Sequence, residues 1–122
     1  MPKRRPEPLA RARTVQRAAA RAGFDWPAGD PRAWRKLAEE IRELKAVARN
    51  RRLAEEELGD LLFMVVNLSR HLRVDAPRAL ARATRKFQKR FAYVMKGTFP
   101  PLGDRRRLAA MERRWVEAKK KR

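Results

Sequence analysis

Apolar residues recur every three or four positions along most of the chain, and no segment alternates in the manner of a strand. This pattern predicts five helices, from Glu7 to Ala22, Asp30 to Ala48, Leu53 to Leu72, Asp75 to Gly97 and Asp104 to Lys120. The second helix carries its apolar stripe at Trp34, Leu37, Ile41, Leu44 and Val47. The fold class that we expect is an all-α bundle of four to five helices.

Polar and turn-forming residues separate these helices. Three aspartates stand where N-cap residues are expected, and Gly23 suits the C′ position of the first helix. The aromatic connector from Phe24 to Pro27 is expected to plug the helix ends. The polar turn from Arg49 to Arg52 favours an antiparallel hairpin. Because the third helix is apolar over most of its middle, we expect a homodimer or homotetramer to complete the bundle.

Length and composition indicate one domain over residues 1–122, with basic tails at 1–6 and 120–122. The chain has no cysteine, which excludes disulfides and thiolate metal sites within it. No secretory signal is recognisable, and the apolar run from Leu61 to Val66 is far shorter than the ~20 residues that cross a bilayer. We therefore expect a cytoplasmic protein without a membrane partner.

The formal net charge of +19 favours anionic partners such as nucleic acid. Basic residues are spread along the whole chain, so the charge alone selects no partner. One hypothesis is therefore a catalytically inactive helical module that binds RNA or DNA through its basic surface.

Half of the fourteen acidic residues nevertheless lie between Glu39 and Asp60. Their spacing lets each half of the pattern point its carboxylates along one helix face. Glu43 and Glu57 are each seven residues from Asn50 in the predicted turn, so the two halves meet in the hairpin. Two like charges about 4 Å apart repel by roughly 4 kcal/mol at an effective dielectric of 20, so a counter-cation is expected.

With oxygen ligands alone, the expected cation is Mg²⁺, with Mn²⁺ as the alternative. Such an ion polarises phosphoryl oxygens and activates water for attack. Gly59 costs roughly 1 kcal/mol in a helix relative to alanine, which indicates that a backbone or a ligand comes close. A solvated acidic face is the competing interpretation.

Several motifs in order resemble the MazG-type nucleoside triphosphate pyrophosphohydrolases. They are Lys36-x-x-Glu39-Glu40-x-x-Glu43-Leu44, Glu55-Glu56-Glu57-Leu58-Gly59-Asp60, Arg85-Lys86-Phe87-x-x-Arg90-Phe91 and Met111-Glu112-x-x-Trp115-x-x-Ala118-Lys119. The resemblance covers roughly residues 15 to 121. It implies an all-α oligomer that cleaves an NTP or dNTP to the monophosphate and pyrophosphate with Mg²⁺, in nucleotide-pool housecleaning.

The resemblance also implies roles for particular residues. The metal ligands, which are also catalytic, would be Glu40, Glu43, Glu57 and Asp60, with Glu39 as a catalytic neighbour; either Glu39 or Glu56 would orient the attacking water. The nucleotide would contact Lys36, Lys86, Arg90, Trp115 and Lys119. Core packing is the alternative for Trp115, and a solvated face is the alternative for Lys86 and Arg90. The chain departs from the family pattern at Thr84 and at Leu53, where asparagine and lysine occur in relatives.

Overall fold

Five α-helices make up the computed structural model, which describes residues 7–121. They are α1 (Pro8–Arg21), α2 (Arg32–Ala46), α3 (Arg51–His71), α4 (Ala76–Val94) and α5 (Arg106–Lys120). The described residues contain no strand, so the all-α prediction is confirmed. The predicted tail 1–6 and the last residue of the predicted tail 120–122 lie outside the described residues.

Short polar side chains begin the helices, as the sequence predicts. Asp30 Oδ1 accepts a hydrogen bond from the backbone N–H of Arg32 at 2.8 Å, and Asp104 Oδ1 accepts one from Arg106 at 2.8 Å. Hydrogen bonds from the Arg32 side chain and backbone hold the pKa of Asp30 at about 2. Asp75 accepts from the N–H of Arg78 at the start of α4. These bonds satisfy N–H groups that have no partner inside a helix.

The end of α1 confirms the expected role of Gly23. Its φ of +93° is left-handed, and its N–H donates to the carbonyl of Ala20 while the N–H of Phe24 donates to Ala19. This pair of bonds is the Schellman arrangement, which favours glycine because it has no Cβ. It turns the chain out of α1 and into the aromatic connector.

The contacts divide the chain into two compact units, with unit 1 ending at Ala79 and unit 2 beginning at Leu80. In unit 1, α3 packs against both α1 and α2. Its Met64 and Leu68 form a buried cluster with Ala33 of α2, and Trp26 and Leu37 pack against that cluster. The α2–α3 pair is the predicted hairpin, with residues 47–50 as its turn.

The inward face of α2 differs from the predicted apolar stripe. Trp34 and Ile41 are 56% and 40% exposed, whereas Ala33 and Glu40 are buried. One residue along a helix rotates the side chain by about 100°, so the stripe is displaced by one position at these two points. The consequence is that a carboxylate, Glu40, occupies an inward position.

Unit 2 contains α5 and the part of α4 from Leu80 onward. Val94 of α4 and Ala118 of α5 are buried, and Phe87 packs against Phe91 and Trp115 at centroid distances of 5.8 and 5.3 Å. The Arg114 guanidinium donates to the carbonyls of Tyr93 and Val94 at the end of α4.

No helix within residues 7–121 is long and apolar enough to cross a membrane.

Candidate metal site and adjoining cleft

Three carboxylates from two helices converge in unit 1. Glu40 of α2 meets Glu57 and Asp60 of α3, and one carboxylate oxygen from each lies within 4.8 Å of the other two. Glu57 and Asp60 share a face because they are three residues apart on one helix. Glu40 joins them because α2 and α3 lie side by side. Three converging oxygens of this kind can hold a metal ion.

Burial distinguishes this acidic group from a solvated face. Glu40 is only 6% exposed and Glu57 is partly buried, whereas Asp60 is exposed. The Oε2 atoms of Glu40 and Glu57 are both buried and accept no hydrogen bond from the described residues. A buried acceptor without a donor costs about 1–3 kcal/mol, and more if it is charged. A hard cation satisfies both oxygens, so the donor set fits a divalent metal with oxygen ligands.

Lys36 partly neutralises the group from the same helix as Glu40. Its Nζ lies 3.3 Å from Glu40 Oε1 and 3.6 Å from Glu39 Oε1. The hydrogen bond to Glu40 is the largest influence on the pKa of Lys36, which is raised above its ordinary value. Lys36 therefore engages one oxygen of Glu40 and leaves the other without a donor.

Glu43 is not one of the three converging carboxylates. Its pKa is nonetheless raised, first by burial and then by the negative charges of Glu40, Glu57 and Glu39. Glu43 lies one turn further along α2 than Glu40, and the negative charges of the acidic group disfavour its ionised form. The predicted ligand set of four thus consists of three converged groups and one neighbour.

A cleft of about 600 Å³ opens beside these carboxylates, and we call it the acidic cleft. Lys36, Glu40 and Asp60 line it together with apolar side chains that include Phe24, Trp26, Phe63 and Met64. Phe24 is 84% exposed, so it does not plug the helix ends as expected; only Trp26 packs on the core. A ligand here meets both an anionic group and aromatic walls.

A polar network fixes the aromatic connector to α3. The Arg70 guanidinium donates to Asp25 Oδ2 at 3.0 Å, to Asn67 Oδ1 at 2.6 Å and to Gln16 Oε1 at 3.1 Å. His71 Nε2 lies 2.9 Å from Asp25 Oδ1. Burial raises the pKa of Asp25, but the hydrogen bonds from His71 and Arg70 outweigh it, and the pKa lies below its ordinary value.

Sequence reasoning assigned no role in the site to this network. The available signal was the set of polar side chains at the end of the apolar α3, where Asn67, Arg70 and His71 follow a run of aliphatic residues. A polar group in such a position requires partners. Their partners, Gln16 and Asp25, are more than forty residues away in sequence. The periodicity of a single helix therefore could not predict which residues pair.

The remaining predicted nucleotide contacts lie in unit 2. Arg90 stacks on Trp115, with its Cζ 5.7 Å from the ring centroid. The ring of Trp115 also packs against Phe87 and is partly buried. Lys86 and Lys119 are exposed on α4 and α5. Arg90 and Trp115 are thus brought together within unit 2.

One of the two departures from the family pattern has a local structural role. The Thr84 hydroxyl donates to the carbonyl of Leu80 one turn earlier in α4. The N–H of Leu53 donates to Asn50 Oδ1 at the start of α3, a backbone bond that a lysine there would also make. Gly59 is not in close contact with another backbone, since a Cβ built there meets no atom within 4 Å. The expected close approach to Gly59 is therefore absent within the described chain.

Fold and site together define a class: a helical protein with a carboxylate site suited to a divalent cation. A sequence profile described as the MazG nucleotide pyrophosphohydrolase domain matches residues 32–95, which include the whole of α2, α3 and α4. The chain belongs to this family.

Two relatives show the extent of the similarity. A nucleoside triphosphate pyrophosphohydrolase/pyrophosphatase MazG of Thermotoga maritima is 52% identical over 84 residues, covering 68% of this chain and 32% of the relative. A nucleoside triphosphate pyrophosphohydrolase of Escherichia coli is 44% identical over 90 residues, covering 70% and 34%. The chain thus spans about a third of the length of the curated relatives it matches.

Proposed function

We propose that this protein is an Mg²⁺-dependent nucleoside triphosphate pyrophosphohydrolase that converts an NTP or dNTP and water to the monophosphate and pyrophosphate. The observation that carries the proposal is the pair of buried, unbonded oxygens on Glu40 and Glu57 beside a cleft of ligand size. The names of the two relatives support the same reaction. Removal of surplus or damaged nucleotides in the cytoplasm is the physiological role that we propose from membership of the family.

The acidic group would hold the cation through Glu40, Glu57 and Asp60, with Glu43 completing the set. When bound, Mg²⁺ would polarise the phosphoryl oxygens and favour deprotonation of the attacking water. Manganese is the alternative ion because it prefers the same oxygen donors.

The other predicted site residues have separate roles in the proposed reaction. In the proposal, Glu39 or Glu56 orients the attacking water; Glu39 is 3.6 Å from Lys36 and outside the converged group. Lys36 would contact a phosphate, and its place in the lining of the cleft supports this role. In the proposal, Lys86, Arg90 and Lys119 offset the negative charge that develops on the phosphates, and Trp115 contacts the nucleotide.

The acidic cleft supports a ligand with both a charged end and a flat apolar end. The aromatic side chains of Phe24, Trp26 and Phe63 suit a planar ring, while the carboxylates in the lining require a cation. A nucleotide with its metal ion has both features. We also propose that residues 1–122 act as one domain, since the family match crosses the boundary at Ala79.

Assembly with a second copy, as a homodimer or homotetramer, is part of the proposal. Leu58, Leu62 and Val65 of α3 are 45%, 50% and 44% exposed. They lie three or four residues apart, so they form one apolar stripe along the helix. An exposed stripe of this kind marks an interaction surface, and a two-fold dimer is the simplest way to cover it.

The direct test is to incubate the purified chain with each NTP and dNTP and to measure pyrophosphate and monophosphate, with Mg²⁺, with Mn²⁺ and with a chelator. We expect equal amounts of both products, and only in the presence of a divalent ion. Release of inorganic phosphate instead of pyrophosphate would indicate a different bond cleavage, and no release with any nucleotide would overturn the enzyme proposal.

A further inference from the structure

Unit 2 contains a second concave surface, which the proposed hydrolysis does not fully explain. A groove of about 490 Å³ lies along α4 and the end of α5, and we call it the basic groove. Its charged and aromatic lining residues are Lys86, Lys89, Arg90, Tyr93, Lys96 and Lys121. Within α4, Lys86, Lys89 and Tyr93 recur at intervals of three and four residues, with Arg90 next to Lys89 and Lys96 just beyond the helix end, so these residues lie along one side of α4.

The positive charges of this groove have no acidic partners. Among residues 7–121, none of its five cations forms a salt bridge, whereas Arg13, Arg32, Arg70 and Arg106 each do. Like charges three or four residues apart destabilise a helix by about 0.2–0.5 kcal/mol per pair. The basic groove therefore crowds positive charges, as the acidic group crowds negative ones. The ligand that it would accept is an anion.

The length of the basic groove exceeds what a triphosphate requires. Lys86 lies eight residues before Val94, the last residue of α4, which corresponds to about 12 Å at 1.5 Å per helical residue, and Lys96 lies just beyond that end. Phosphates along one stacked nucleic-acid strand are about 3.4 Å apart in rise, so about four of them fit this length. The three phosphates of a nucleotide, joined directly through bridging oxygens, occupy only part of it. Lys89, Lys96 and Lys121 are thus not needed for a single nucleotide.

The surroundings of Tyr93 indicate whether the groove would contact the bases or the backbone of such a strand. The Arg114 guanidinium carbon and Lys121 Nζ each lie 4.4 Å from the centroid of the Tyr93 ring. With both cations against it, the ring is engaged in cation–π contacts and is not free to stack on a base. The groove therefore offers charge along its length without a stacking platform, which selects for a phosphate backbone rather than for bases.

We propose that the basic groove binds the sugar–phosphate backbone of single-stranded nucleic acid without base preference. The proposal commits to a single strand, of which about four phosphates fit the length of the groove. Lys86 and Arg90 line the groove and are also proposed to contact the nucleotide, but strand binding would not require hydrolysis. RNA and DNA share the phosphodiester chemistry that this binding requires.

The test uses the full chain and fluorescence anisotropy with labelled twelve-nucleotide oligo-dT and oligo-U. A groove variant, Lys89→Gln/Lys96→Gln/Lys121→Gln, removes three charges but retains the residues proposed to contact the nucleotide. The matched control, Arg17→Gln/Arg42→Gln/Arg49→Gln, removes three exposed charges of unit 1. A third variant replaces the three groove lysines with arginine and so preserves the charge.

We expect the groove variant to bind both strands at least about tenfold more weakly, with a salt slope less negative by about 2, because each single-strand phosphate contact contributes about 0.7. The arginine variant and the control should stay within about twofold of the wild type. Pyrophosphate release should be unchanged in all four proteins.

Three results would overturn the proposal. They are an equal loss in the control variant, duplex binding as tight as single-strand binding, and complete displacement of the strand by one equivalent of a non-hydrolysable triphosphate. If the groove variant lost pyrophosphate release but still bound the strands, the three lysines would act in hydrolysis and not in strand binding. That result would also contradict the proposal. A failure of the hydrolase proposal alone would leave this binding result intact.

Discussion

The acidic cleft of unit 1 and the basic groove of unit 2 both concentrate like charges, but they do so by different means. The cleft brings together carboxylates from two helices, and it buries two of their oxygens without a hydrogen-bond donor. The groove takes most of its charges from one helix, and most of its lysines are exposed. Burial raises the free-energy cost of crowding like charges in the cleft, where Lys36 offsets part of that cost, whereas solvent screens the charges of the groove.

This difference predicts how each site selects its ligand. A buried group of oxygens with fixed positions selects by ion size and coordination, so it should discriminate sharply. Long, solvated lysine side chains select by charge alone, so they should bind polyanions weakly and in a salt-dependent manner. The predictions below test this contrast.

The largest effect is expected from neutralising the acidic group. Glu57→Gln and Asp60→Asn should each lower kcat/KM at least about a thousandfold, because a bound cation contributes several kcal/mol and each 1.4 kcal/mol is tenfold. The same variants should lose the rise in Tm that Mg²⁺ gives to the wild type. In a chelator, Glu57→Gln should melt at or above the wild-type temperature, because it removes a buried like charge.

Calorimetric melting with and without Mg²⁺ provides the check, together with pyrophosphate release. The groove variant serves as the control, since it should retain both the Mg²⁺ shift and the activity. If Glu57→Gln still gained thermal stability from Mg²⁺, the ion would bind elsewhere. The acidic group would then not be the cation site, and the contrast between the two sites would be wrong.

An intermediate effect is expected at Arg70, which joins the connector to α3. Arg70→Gln leaves Asp25, Asn67 and Gln16 with unsatisfied acceptors, so we expect a loss of about 2–3 kcal/mol in the free energy of unfolding. Arg106→Gln is the matched control because its ion pair with Asp104 is exposed, and it should cost less than about 1 kcal/mol. Urea denaturation of both variants measures the difference, and equal losses would mean that the network contributes no more than a surface pair.

The smallest effect is expected at Gly59, next to the acidic group. Gly59→Ala should stabilise the isolated chain by roughly 1 kcal/mol, because no atom of the described chain lies near the added methyl group. If a second copy packs closely on this part of α3, the same change should weaken the oligomer instead. Denaturation at several protein concentrations, combined with sedimentation, separates the two outcomes. A monomeric wild type at all concentrations would overturn the proposed assembly.

The sequence was sufficient for the helices, the caps and the register of the hairpin. Helical periodicity and the residues at each boundary determine local structure, so Asp30, Asp104 and Gly23 could be assigned without coordinates. The equal distances of Glu43 and Glu57 from the turn predicted that the acidic half-motifs meet. Of the four predicted ligands, Glu40, Glu57 and Asp60 converge, and the structure differs from the prediction in leaving Glu43 outside that group.

The rest depended on packing that one helix pattern does not encode. Ile41 is more hydrophobic than Glu40, so periodicity favoured it for the inward face, yet the cluster around Ala33 and Leu37 places Glu40 there. The Arg70 network required knowledge of where Asp25 lies in space. Phe24 was expected to cover the helix ends, but its exposed ring is a wall of the cleft.

The position of Lys36 has a consequence for the protein before any ion arrives. A chain that folds in the absence of metal still brings an ammonium group to within 3.3 Å of the buried Glu40 carboxylate. This internal counter-charge lets the helices close around the acids without waiting for a cation from solution. In the proposed site, a cation held by Glu40 would weaken the attraction of that carboxylate for Lys36, whose ammonium group would then be available to a phosphate.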